Sequence, residues 1–488
     1  MPGPDLKPTS TAAARAQAPV TYVASRQSRA RRDQLVYLSM AVILLIGIFF
    51  IQPELNRQRA KLVPVDKTQQ VGDLLIQFPR LTLGGFRGLL AMTLWEDAES
   101  DKNHHRWRPL ETDYNMIAAL EPYFGSAYIF NAWNQSYNLS AQFHSMQTKY
   151  KWVLDGLVYL YKGEHYVPND ADMIMEEAND YFLKLGTSFE RKYYCARWRF
   201  DIAHNYEYIP GKINPALSTL GEVHFLVSRP QFKAKWLPPR TGKGPLGHGV
   251  EIDGIHYRYG LSPFYFAYVE YKRALAQPVP PDTQGLQVLE SWPPMCLRLW
   301  CRDDVYYAQR LAYRIFSVPQ KDFTRHFPQR IEEIHDCYRN VSINAPRAVI
   351  AFTHYLAKFP DQWGVHHQHR AEVRYYQALA LAEGKLFDAL VAWQNNDRRY
   401  RLGDQADQLM AQAETLFENA KVVYNHWLNI AYPPMANGMP NPSLGDELKH
   451  RNALDVRIAG IEAFRRTAAA HKKPDMNFLS PQTLSYSD

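Results

Sequence analysis

The chain has 488 residues, with 56 Lys and Arg against 49 Asp and Glu, a formal charge of +7. Apolar residues at 46% and charged residues at 22% are ordinary for a globular chain. They exclude a disordered chain, a collagen-like chain and a polytopic membrane protein, and four Cys exclude a disulfide-built scaffold.

The first 52 residues carry six basic groups, among them Arg26, Arg29, Arg31 and Arg32, against Asp5 and Asp33, for a net +4. The rest holds 50 basic and 47 acidic groups, a net +3. A body this close to neutral does not predict nucleic-acid binding, which needs a concentrated basic surface. Residues 1–33 read as a disordered basic tail. Leu35 to Ile51 is then a run of 17 uncharged, mostly apolar residues, long enough to span a hydrocarbon core. The expectation is an uncleaved transmembrane helix at 34–53 that holds the chain in the lipid bilayer. The upstream arginines outweigh Arg57, Arg59 and Lys61. The positive-inside rule then predicts a single-pass inner-membrane protein with a cytoplasmic N-terminus and a large extracytoplasmic, periplasmic body.

Beyond the anchor the pattern is helical. A turn at Gly84-Gly85 feeds a helix in which Phe86, Leu89, Leu90 and Leu94 share a face. Further helices are predicted at 114–120, 127–139, 150–161, 172–185, 347–359, 371–383, 387–398, 404–431 and 444–471. Residues 208–260 hold six Pro and are read as an irregular insertion, with a hairpin turn at Asp253-Gly254. Residues 277–294 form a second Pro-rich break. The expected units are therefore a helical half at 71–207, an insertion and linker at 208–294, a second helical half at 295–474 and a tail at 475–488.

Small and large residues recur at helical spacing after prolines. Pro122 leads to Tyr128 and Ala132, and Pro168 to Ile174 and Ala178. Around Gly384 a predicted helix pair places Ala389 and Trp393. This pattern resembles tetratricopeptide-repeat (TPR) proteins, over 108–186 and 346–400. The resemblance implies a mainly α fold, a degenerate TPR-like α-solenoid interrupted by the Pro/Gly-rich insertion. It also implies a protein-binding groove, with Asn131, Asn134, Tyr137 and Asn138 as groove candidates.

Motifs for chemistry are sparse. Gly242 and Gly247 have phosphate-loop spacing, but His248-Gly249 replaces the required Lys-Ser/Thr. Cys296, Cys301, His335 and Cys337, with His326, form a loose zinc set; a disulfide would compete for the same thiols. His366, His367 and His369 read as a solvated loop cluster. Asp303-Asp304 and Glu332-Glu333 diverge by about 100° on a helix and read as solvated faces. In 191–200, Tyr194 and Trp198 point inward and Arg191, Lys192, Arg197 and Arg199 outward. No nucleophile elbow occurs. No cofactor is expected.

Three roles follow as expectations. The first is a membrane-anchored helical scaffold that mediates protein–protein interaction at a membrane surface. The second is a structural subunit of a larger membrane complex. The third is an enzyme with a site in the 242–260 insertion, near His248, Asp253 and His256.

Overall fold

The computed structural model describes residues 87–480, except 206–218, 239–248, 279–282, 318–327, 396–400 and five positions between 436 and 443. Scattered positions between 36 and 57 are also described. The chain forms two compact units, Met1–Glu121 and Pro122–Asp488. Both expected helical halves and the insertion lie wholly or largely in the second.

In the first unit, helices α1 (Arg87–Asn103) and α2 (Trp107–Leu120) pack together. Trp95 meets Tyr114 edge-on at 6.0 Å.

The second unit opens with α3 (Gly125–Trp133), which passes into a π-helical segment at Asn134–Leu139. Helix α4 (Met146–Glu164) is capped by Ser145, whose hydroxyl accepts from the Thr148 amide. Its buried Tyr150, Val153, Leu154, Leu157 and Tyr161 follow the 3.6-residue period. Asp170 caps α5 (Ala171–Asn179) by accepting from two amides, and α5 also ends in a π-helical segment, Asp180–Thr187. Helices α6 (Arg191–Ala203) and α7 (Leu220–Val227) follow. A small antiparallel sheet comes next, β1 (Lys235–Trp236), β2 (Val250–Ile252) and β3 (Ile255–Tyr257). Asp253 and Gly254, at φ 51° and 77°, form the predicted hairpin turn.

Helix α8 (Pro263–Leu275) leads into five long helices, α9 (Thr283–Phe316), α10 (Pro328–Lys358), α11 (Trp363–Asn395), α12 (Asp404–Ala431) and α13 (Leu444–Ala469). Consecutive pairs from α10 to α13 pack against each other, and α9 packs on α10 and α11. One apolar core joins these helices to α4–α8 and the hairpin. At its centre Phe266 meets Trp198 at 5.0 Å and Phe232 at 4.8 Å, both edge-on, which suits the ring quadrupoles.

The mainly helical expectation is met, but several finer readings are corrected. Among the described residues no helix is long and apolar enough to cross a membrane. Helices α9 to α13 all carry charged residues along their length and bury a stripe against neighbouring helices. Most of 34–53 lies outside the described residues. The transmembrane helix, the single-pass topology and the inner-membrane, periplasmic placement are therefore withdrawn.

The second Pro-rich break is shorter than expected, since α8 ends at Leu275 and α9 already begins at Thr283. Pro293 and Pro294 sit inside α9, and Pro346 sits inside α10. A proline removes one ladder bond and crowds one carbonyl, a cost that packing along a 34-residue helix outweighs. Likewise α11 runs unbroken through Gly384, so the residues read as a helix pair form one helix. The expected 475–488 tail begins with a docked turn at Asn477–Leu479. Phe478 there packs on Phe464, and a Cβ at Gly460 would lie 2.4 Å from the Phe478 side chain.

Candidate functional site

The expected groove residues do not line an open groove. Asn131 and Asn134 are buried. The amide of Asn134 donates to the Phe130 carbonyl at 3.1 Å, and that of Gln135 donates to the Asn131 side chain at 3.3 Å. Asn138 donates to the Asn134 side chain at 2.5 Å, and Tyr137 stacks on Trp133 at 6.0 Å. The π-helical widening turns these polar groups inward, where the Ser136 hydroxyl donates to the buried Asp180 at 2.8 Å.

The loose zinc set is not assembled either. Cys296, Cys301 and Cys337 are buried and unoxidised, and burial pushes all three thiols well up. His335 instead is half-exposed and bonds Asp388 at 2.9 Å. Among the described residues no three His, Cys, Asp or Glu side chains are placed to hold a metal. His326 and His248 lie outside the described residues.

Several residues read separately from sequence meet at one junction instead. Arg199 was expected to face solvent, yet it is 2% exposed. Its guanidinium donates to Asp303 at 2.6 Å and also to Asp304, both on α9. The Ser262 hydroxyl adds a bond to Asp303 at 2.8 Å, and the guanidinium lies 5.0 Å over the Tyr307 ring. Adjacent carboxylates diverge on a helix, but a planar fork with several donors reaches both. Burial alone would raise Asp303, yet the charge and bonds of Arg199 hold it below its ordinary value. Burial wins at Asp304, which is pushed up to about 6. One cation thus favours ionisation of Asp303 over that of Asp304. Gly260, at φ 83°, lets the chain pass this close, since a Cβ there would lie 2.4 Å from the Arg199 carbonyl oxygen.

Glu333, also expected outside, is buried and accepts from Tyr307 at 2.7 Å. Between Arg199, Tyr259, Tyr307 and Glu333 lies a cavity of about 10 Å³, room for no more than one water. Above it a cleft of about 280 Å³ is lined by His256, Arg258, Glu332, His335, Asp336 and Arg339. Most of its charges are already paired, and Arg258 donates to the Pro238 carbonyl. Arg339 meets Asp336 at 3.1 Å, His256 meets Glu251 at 3.3 Å, and Tyr259 donates to Glu332 at 2.9 Å. The insertion thus acts as a cover that closes a structural ion-pair network.

A different surface stands out on α10, α11 and α12. Trp363, His367, Arg370, Arg374, Leu381 and Lys385 recur at three-, four- and seven-residue spacing, so they share one stripe of α11. Trp363 and Leu381 are 50% and 49% exposed. His367 stacks on Trp363 at 4.5 Å, and the Arg370 guanidinium lies 5.4 Å over the same ring. On α10, Thr353 accepts from Arg370 at 3.4 Å, and Ile350, one turn earlier, is 55% exposed. On α12, Val422 is 66% exposed one turn from His426, and Tyr424 between them packs on Tyr375 of α11 at 4.6 Å. Antiparallel order therefore sets Ile350 and Val422 on either side of the Arg374 turn. His367 is held below its ordinary value by partial burial and then by Arg370, His426 and Arg374. The sequence reading had placed His366, His367 and His369 in a loop. They lie in the first two turns of α11, with His366 buried 4.6 Å from Tyr355. The stripe was legible only once Gly384 was known to lie within a single helix.

Compared with protein-family models, curated proteins and solved structures, the chain gives no match.

Proposed function

We propose that the chain is a helical scaffold that binds another protein through the face formed by α10, α11 and α12. One observation carries the reading: Ile350, Trp363, Leu381 and Val422 stay about half exposed or more on packed helices that could have buried them. Scattered apolar residues are normal on a surface, but these four stand on rigid neighbouring helices that together offer a frame for a partner. The junction at Arg199 supports the reading from the other side, because its polar groups bond one another around a one-water cavity. No TPR-like repeat is identified among the described residues: α10 to α13 are each 26 residues or longer, and α11 spans the expected inter-helix turn.

The test compares the full chain with its Ile350→Asp/Val422→Asp double variant as bait in extract from the native host. Both sites are exposed, so circular dichroism and melting should not change. The expected result is a partner captured in stoichiometric amount by the wild type and lost with the double variant. Capture of the same proteins by both would remove this face from the function.

A further inference from the structure

Resting on that reading, we infer that the partner segment is acidic: a helix bearing carboxylates along one side, with an apolar side chain near each end. Among the described residues, neither Arg370 nor Arg374 pairs with a carboxylate; Arg370 instead donates to Thr353 and lies over the Trp363 ring. Lys385 ends the stripe, 3.8 Å from Asp388. Two carboxylates lie at the margins. Asp361 is taken up by Gln287 and Gln362, and Glu418 sits one turn before Val422 on α12. Arg370 and Arg374, one turn apart, unpaired and flanked by neutral Ser342, Thr353, Thr415 and Asn419, complement carboxylates one turn apart on a partner.

The spacing sets the length. Trp363 and Leu381 are 18 positions apart, roughly 27 Å along the helix, and Lys385 extends the stripe to roughly 33 Å. A partner helix of about 20 residues would cover it. Apolar side chains at its ends would meet Trp363 and Leu381, and carboxylates between them would meet Arg370 and Arg374. A protein segment fits better than a nucleic acid or an anionic membrane. Two arginines are few for phosphate tracking, and Ile350 and Val422 flank them with apolar surface. Two large apolar groups five turns apart present too little continuous area to enter lipid.

The probe is a fluorescein-labelled peptide of about 20 residues, built from Glu and Ala with a Leu near each end. The same peptide with Gln for Glu, a single-stranded DNA and phosphatidylserine vesicles are compared with it by anisotropy or sedimentation against the full chain. Saturable binding of the Glu peptide is expected, weakened by salt. It should fall about tenfold or more with Arg370→Gln/Arg374→Gln. The charge-matched control Arg466→Gln/Lys472→Gln, on and just after α13, should leave it unchanged. Equal binding of the Gln peptide, no saturable binding, or tighter binding of DNA or vesicles would overturn the inference. If the arginine variant still captures the native partner while Ile350→Asp/Val422→Asp does not, the acidic assignment fails and the scaffold stands. If neither variant affects capture, both fail.

Discussion

A buried guanidinium shared by two adjacent carboxylates has an unequal energetic balance. Arg199 is fully buried, so removing it strands the Asp303 charge in the interior. Arg199→Ala should lower unfolding free energy by about 3–5 kcal/mol in urea titrations. Asp304 behaves oppositely. Its folded pKa is pushed up to about 6, above the unfolded value, so the folded state holds a proton that the unfolded state releases. Its contribution is fully present below pH ~4 and is lost as pH rises to ~6. Asp304→Asn cannot titrate. Its stability relative to wild type should therefore improve by of order 1–3 kcal/mol between pH 4 and pH 7, read from urea midpoints at both values. An unchanged difference would mean that Asp304 is already charged in the folded state. Gly260→Ala meets both a positive φ and the Arg199 backbone, and should cost about 2–4 kcal/mol. None of these three residues announces itself in the sequence. Arg199 lies in a run of alternating cations and rings, and only the approach of α9 and Gly260 from elsewhere in the chain takes it out of water.

At the scale of elements, the apolar period located most helices. The Tyr150–Tyr161 stripe is a local feature readable in the sequence, whereas the Ser145 and Asp170 caps emerge from the structure. Continuity was not. Gly384, Pro293, Pro294 and Pro346 are breakers by intrinsic propensity, but each sits in a helix whose neighbours on both sides are packed. Pro346 is exposed within α10, so the tertiary contacts do not need its ring. Pro346→Ala should restore one backbone bond and raise stability by about 1–2 kcal/mol, after allowing for the looser unfolded chain. A loss in the same denaturation assay would show that the local bend is required for α10 to meet α11. The π-helical segments are a second case. Nothing local in 134–139 marks a widened turn; the buried Ser136–Asp180 bond between two such segments does.

For the whole molecule, unit 122–488 has its own continuous core. A fragment starting at Pro122 should therefore unfold in one cooperative transition with the midpoint of the full chain, followed by far-ultraviolet dichroism. A lowered or broadened transition would show that the core depends on residues 1–121. The sequence by itself determined the helical class, the hairpin at Asp253-Gly254 and the near-neutral body, because these follow from short-range periodicity, turn chemistry and counting. Only the tertiary structure decided that Asn131 and Asn134 lie inside, that Cys296, Cys301, His335 and Cys337 do not converge, and that the cationic stripe of α11 stays open between Ile350 and Val422. Burial and pairing depend on which helices meet, and those contacts join residues tens of positions apart that no local pattern links.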